Sequence, residues 1–119
     1  MRFLPVLALC VGSFFISCSS DPDLPTCIQE RLDVFETDPT VCSATAGNPL
    51  AAGNLALFRF RTEEVYCFNW GACNPNKTIE IWTADCELLC ELGGPNGLVV
   101  CDGTPWEGNA QELDEIYRR

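Results

Sequence analysis

Histidine is missing from this 119-residue sequence. Its absence removes the Ser-His-Asp and Cys-His pairs of nucleophilic catalysis and every mixed Cys/His zinc set. Basic residues are scarce: seven Lys and Arg stand against seventeen Asp and Glu, for a formal charge of −10. Binding to nucleic acid or to anionic lipid headgroups depends on Lys and Arg meeting phosphate, so neither partner is expected. The acidity suits the solubility of an exported protein. No two cysteines stand in C-x2-C spacing, which argues against a zinc knuckle and against a thioredoxin-type redox pair. Beyond position 18 no apolar run approaches the roughly 20 residues that a membrane-spanning helix needs. There is no internal repeat and no low-complexity segment.

What is present begins with an address. Met1 to Cys18 carries one cation, Arg2, then an apolar run from Phe3 to Ile16, then Phe15-Ile16-Ser17-Cys18. That ending resembles the lipobox of bacterial lipoproteins, with Phe15 where Leu is more usual. The resemblance implies cleavage before Cys18 and a diacylglycerol on its sulfur. Residues 1–17 are then a signal peptide, residues 18–25 a lipid-anchored tether and residues 26–119 one small domain. The rival is an ordinary signal cut after Ser19 or Ser20. Ser19-Ser20-Asp21-Pro22-Asp23 is a polar spacer. It resembles the surface-export signal of Bacteroidota-type lipoproteins, and Ser19 in place of Asp argues against inner-membrane retention. The expected location is the outer membrane, lipid-anchored, facing the cell surface or the periplasm.

The domain reads as α+β. Thr26 and Gln29 form a capping-box pattern, and Leu24, Ile28, Leu32 and Phe35 recur at helical spacing. The spacing predicts a helix over Cys27–Glu36, stopped before Asp38-Pro39. Thr37–Asn54 reads as a loop pinned by Cys42. From Leu55 the period becomes two. Phe58 and Phe60 fall on one face with Arg59 and Arg61 on the other, a turn is expected at Thr62-Glu63, and Val65–Trp70 forms a second strand. Ile79 and Ile81 point inward on a third strand, Leu88, Cys90 and Leu92 share a face of a fourth, and Leu98–Cys101 forms a short fifth. Asn109 with Glu112 repeats the capping pattern before Ala110, Leu113, Ile116 and Tyr117, predicting a C-terminal helix whose end suits Arg118-Arg119. The predicted fold is a small antiparallel meander of four or five strands, with an N-terminal and a C-terminal helix on one face, stapled by disulfides.

The cysteines carry the main chemistry. Nine are present; Cys10 leaves with the signal and Cys18 takes the lipid. Cys27, Cys42, Cys67, Cys73, Cys86, Cys90 and Cys101 remain, an odd set that forms at most three bridges in an oxidising compartment. Cys86 and Cys90 lie roughly 13 Å apart along an extended chain, beyond the roughly 7 Å a disulfide spans. Cys67 could pair with a neighbouring strand or loop, and Cys27 could tie the first helix to Cys101. Every other pairing stays open.

Catalytic constellations are thin. Glu63-Glu64 and the group Glu80, Asp85, Glu87 and Glu91 could hold a two-carboxylate glycosidase site, although strand alternation turns Glu80 and Glu91 toward solvent. Gly93-Gly94-Pro95-Asn96-Gly97 lacks the lysine of a phosphate loop and reads as a turn. Asp21 and Asp23 lack the downstream acid of a calcium loop. Trp70, Trp82 and Trp106 could build a recognition patch, though at least two of them are expected in the core. No catalytic residue, metal or cofactor is expected.

The early Cys27-Ile28-Gln29-Glu30 helix, then Glu64-Val65-Tyr66-Cys67-Phe68-Asn69, then Ile81-Trp82-Thr83-Ala84-Asp85-Cys86-Glu87-Leu88-Leu89-Cys90 before Gly93-Gly94, resemble a family of small Bacteroidota lipoproteins of unknown function. The likeness covers residues 26–117, with Trp82-Thr83 where that family tends to have Tyr-Asp. It implies the fold and the address, and it carries over no catalytic residue. The expected role is a non-catalytic binding or structural module whose partner is an envelope protein or an extracellular ligand, with Pro95 and Asn96 as a candidate recognition loop. A hydrolase inhibitor that uses Gly71–Lys77 or Gly93–Gly97 as its plug is the alternative, and a carboxylate enzyme is the third.

Overall fold

Strand alternation from Leu55 onward builds the sheet on which the rest of the domain is laid. The computed structural model describes residues 24–45 and 47–119. The signal, Cys10, the lipid site Cys18 and the spacer up to Asp23 lie outside the described residues. Four strands run as an antiparallel meander: β1 (Asn54–Phe60), β2 (Glu63–Asn69), β3 (Thr78–Thr83) and β4 (Leu88–Gly93). A helix, α1 (Thr26–Thr37), precedes them, and a short hairpin follows, β5 (Val100–Cys101) with β6 (Thr104–Pro105). The last strand, β7 (Ala110–Arg118), returns beside β1, so the five-stranded sheet has the order β4-β3-β2-β1-β7.

Because side chains alternate along a strand, the sheet has two apolar faces, and both are covered. On one face Leu55, Tyr66, Phe68 and Trp70 pack beneath Ile28, Leu32 and Phe35 of α1. Phe35 sits at the centre, its ring edge-on to Phe68 and Trp70 at centroid distances of 5.4 and 5.0 Å. On the other face Phe60, Val65, Cys67, Ile81 and Leu92 are buried with Cys101 of β5, with Trp106 packed against them. The expected pairing of Phe58 with Phe60 and of Ile79 with Ile81 holds on this second face.

The helical spacing from Ile28 to Phe35 forms α1, but the expected capping box does not form. Pro25 occupies the cap position, and its carbonyl accepts from the Ile28 and Gln29 amides, both at 2.9 Å. Thr26 is thereby already inside the helix, where its hydroxyl cannot cap. Gln29 Nε2 instead donates to Asp33 Oδ1, one turn on, at 3.0 Å.

The C-terminal helix is a strand. Asn109 donates from its side chain to the Pro105 carbonyl at 2.9 Å, in a turn rather than a cap, and β7 pairs along the whole of β1. The helix-like spacing has a structural cause. Register shifts at Leu55/Ala56 and Leu57/Phe58 leave Ile116 and Leu113 without partners on β1. Each extra residue is a bulge that reverses the alternation. The partly buried positions therefore fall at 110, 113, 116 and 117, as on a helix. The free edge of β1 decides the outcome: Leu55 and Phe60 are fully buried, so the backbone between them needs hydrogen-bond partners on both sides.

Three further expectations change. The first hairpin turns at Arg61-Thr62, with Arg61 at φ 59°, one residue before the expected Thr62-Glu63. Leu98–Cys101 does not extend the meander; β5 pairs with β6 and folds over the second face. The sheet is consequently covered by one helix on one side and a hairpin on the other, not by two helices on one side. Arg118-Arg119 still serve a helix end in part, since Arg119 donates to the Glu36 and Asp38 carbonyls at the C-terminus of α1, where a cation is favoured.

Gly71 marks the tightest backbone approach after the sheet. It has φ +102°, and a Cβ there would lie 2.6 Å from the Ala51 carbonyl oxygen and 2.6 Å from Cys42 Cβ. Gly71→Ala is expected to cost about 2 kcal/mol in urea denaturation. A change below about 0.5 kcal/mol, the range of an ordinary surface substitution, would contradict this close packing.

Candidate functional site

Among the described residues six cysteines are bridged and one is free. The bridges are Cys27–Cys86, Cys42–Cys73 and Cys90–Cys101, with Cα separations of 6.0, 5.7 and 5.2 Å. The expected Cys27–Cys101 tie is not made: Cys27 reaches the turn between β3 and β4, where Cys86 takes φ 64°. Cys67 does not pair across strands either. It is buried and free: the second core that it faces also holds Cys90 and Cys101, and those two are bridged to each other. Burial, reinforced by the Glu112 charge, pushes its thiol up to about 12. A thiol held protonated at neutral pH is a poor nucleophile.

Cys90–Cys101 closes the most prominent loop. Gly93 and Leu98 exchange backbone hydrogen bonds of 2.7 and 3.1 Å, and the Gly97 amide donates to the Gly94 carbonyl at 3.1 Å. Positive φ at Gly93, Gly94 and Gly97 makes this tight reversal possible. Pro95 and Asn96 stand exposed at the tip. Directly behind them Leu98, Val99 and Val100 are 44%, 68% and 49% exposed, three consecutive aliphatic side chains in water. Two contacts hold the base. The Trp106 amide donates to the Val99 carbonyl at 3.0 Å, and Arg61 pairs with Asp102 at 3.1 Å. In sequence the aliphatic run has the pattern of a strand; its exposure depends on which face the hairpin covers.

The Gly71–Lys77 loop is pinned as well, by Cys42–Cys73 and by the Ala72 amide on the Ala51 carbonyl at 3.0 Å. Its exposed side chains are polar or small, and Lys77 Nζ lies over the Trp70 ring at 4.4 Å. It offers little apolar contact.

The tryptophans do not form an exposed patch. Trp70 is buried in the first core, and its indole N–H donates to Asp38 at 3.3 Å. Trp82 and Trp106 are half-buried. Arg31 lies 3.8 Å above the Trp82 ring, and Trp106 stacks on Phe60 at 5.0 Å. Of the candidate carboxylates, Glu64 borders the cleft between α1 and β7 together with Glu30, Asp114 and Glu115. Glu80, expected in solvent, turns to the helix side, where it pairs with Arg31 at 3.2 Å and accepts from the Trp82 indole at 3.0 Å. Glu91 accepts from the Thr78 hydroxyl at 2.6 Å, and Glu63 pairs with Arg61 at 3.7 Å. Among the described residues no group of three or more His, Cys, Asp or Glu side chains could hold a metal ion. None of the described helices is long and apolar enough to cross a membrane.

Asp38 joins the end of α1 to the Trp70 core. The Thr40 hydroxyl and then the Thr40 amide, at 2.7 and 2.8 Å, hold its carboxyl below its ordinary value of 3.8, with smaller contributions from Trp70 and Lys77. A depressed folded value stabilises the protein above the unfolded value and is lost as pH falls through the folded one. Side-chain NMR should therefore place the Asp38 midpoint below 3.8, with the Trp70 indole N–H shifting at the same midpoint. A midpoint at or above the ordinary value would mean that the Thr40 contacts do not persist in solution.

Comparison with family models, curated proteins and solved structures returns no match.

Proposed function

We propose that the chain is an exported, lipid-anchored cell-envelope protein whose domain is a non-catalytic binding module. Cys18 carries the lipid, the outer membrane is its location, and the likeness to small Bacteroidota lipoproteins of unknown function supports that address. The partner is another envelope protein or an extracellular ligand. The observation that carries the binding role is the bridge-closed loop presenting Leu98, Val99 and Val100 to solvent. Exposed apolar side chains raise solubility risk and are retained at interaction sites. Fixing the loop before binding reduces the entropy lost on association.

Two experiments test this. Intact mass of the protein taken from membranes, before and after reduction, should show an acylated Cys18 N-terminus and a gain of two hydrogens per bridge. A mature chain lacking acyl groups sinks the anchor. A photo-crosslinker at Val99 should give a discrete adduct in native membranes, whereas one at Val34, exposed on α1, should not. Val99→Asp should weaken binding of the adduct partner at least about tenfold. Equal adducts from both positions would remove the loop from the binding surface.

The same loop favours a second reading, inhibition of a hydrolase. Its Pro95-Asn96 tip projects from a base locked by Cys90–Cys101, the preorganised shape a plug needs. Potency that survives Pro95→Ala and Asn96→Ala together would exclude the tip from that role.

A further inference from the structure

Between the outer sheet face and the bridge-closed hairpin lies a cavity of about 640 Å³, within the range of about 300–1,000 Å³ typical of small-molecule sites. Phe58, Ile79, Leu92 and Trp106 form its walls, and Leu98 and Val99 form its rim. Its polar groups are few. Cys67, 8% exposed and unbridged, contributes a thiol to the floor. Asn69 contributes an amide whose Oδ1 is taken by the Gly71 N–H at 2.8 Å, which leaves Nδ2 as a free donor for a ligand. Glu107 is the one charged residue of the lining, and no Lys or Arg is among the lining residues.

Two other clefts differ in kind. The cleft between α1 and β3, about 410 Å³, has Glu30, Arg31 and Asp38 in its lining. The one between α1 and β7, about 950 Å³, is rimmed by Glu30, Glu64, Asp114 and Glu115. In contrast to these two, the cavity beneath the hairpin joins apolar walls to an uncharged floor.

We propose that this cavity binds a neutral, lipophilic small molecule bearing a hydrogen-bond acceptor, with the Asn69 amide and the Cys67 thiol as donors. An anionic head group is selected against, because Glu107 repels it and no cation compensates its desolvation. The Cys67 thiol stays protonated at neutral pH, so the ligand is held without a covalent bond. Leu98 and Val99 are shared with the protein-partner reading above, since they border the cavity and are exposed, whereas Val100 lies outside the lining.

A matched pair of fluorescent probes tests the idea on the full chain with its disulfides intact: methyl cis-parinarate, neutral with an ester acceptor, and cis-parinaric acid. The ester should bind saturably, one per chain, at least about tenfold more tightly than the ionised acid. Bound ester should accept energy from the tryptophans of both sheet faces, since Trp70 and Trp82 lie one layer spacing from Trp106, on the order of 10 Å. Ala110→Leu, which adds volume to the lining, should weaken the ester at least about tenfold. Should that variant fold poorly, the wild-type melting temperature decides: the ester should raise it and the acid should not. Equal affinity for ester and acid, unchanged ester affinity in a folded Ala110→Leu variant, or no saturable ester binding would each overturn the proposal. Because Val99 borders the cavity, a second crosslinker at Val100, outside the lining, separates the two ideas, so either can fail alone.

Discussion

Replacing Cys27 and Cys86 together by serine is expected to lower the free energy of unfolding by about 4 kcal/mol, the largest loss of the three bridges. The two residues are 59 apart in sequence, against 31 for Cys42–Cys73 and 11 for Cys90–Cys101. Closing a longer loop removes more freedom from the unfolded chain, so the corresponding loss for the shortest bridge is about 3 kcal/mol. Position amplifies the effect. Cys27 lies at the start of α1 and Cys86 in the β3–β4 turn, so the bridge clamps the helix across the sheet. Small domains hold about 5–15 kcal/mol in total, and losing 4 leaves a chain that unfolds readily. Urea denaturation of the three double-serine variants should rank them by loop length. A Cys27/Cys86 variant as stable as the Cys90/Cys101 variant would overturn the chain-entropy account of these bridges.

Phe60→Ala should cost about 3–5 kcal/mol, the range for deleting a large buried aromatic ring. Phe60 is 0% exposed at the end of β1. It pairs with Glu63 on one side and Ala110 on the other, and its ring stacks on Trp106 at 5.0 Å. The ring thus joins the sheet, β7 and the hairpin in one contact. Its removal should destabilise the domain and red-shift Trp106 emission, while Phe58, 5.2 Å from the same indole, holds part of the packing. A loss under about 1 kcal/mol, or an unchanged Trp106 spectrum, would mean that the hairpin does not rest on Phe60 in solution.

How much could be read in advance depended on the range of the interactions. The meander from Leu55 to Leu92 follows from alternation and short turns, which are local properties, but the register shift at Ile81/Trp82 was not legible, and it separates Leu88, 42% exposed, from the face expected to hold it with Cys90 and Leu92. The first helix was legible from Ile28, Leu32 and Phe35, but its cap was not. Thr26 and Pro25 compete for one position, and the backbone at Pro25, φ −52° and ψ 140°, settles it. Of the candidate site, Pro95 and Asn96 were visible as a turn. Leu98 to Val100 were not visible as a surface, because three aliphatic residues in a row ordinarily signal burial.

By itself the amino-acid sequence determined the chemistry that is missing: no histidine, no cationic surface and no closely spaced zinc thiols. It also determined that an odd number of cysteines would follow a lipobox-like signal. Tertiary structure alone decided three things. It made Ala110–Arg118 a strand, because two bulges give β7 a helical spacing and only the open edge of β1 demands a partner. It chose which six cysteines pair, because a bridge requires Cα atoms about 5–6 Å apart and sequence separation says nothing about that distance. It left Cys67 unpaired at the floor of an apolar cavity, because on the face that it shares with Cys90 and Cys101 those two are bridged to each other.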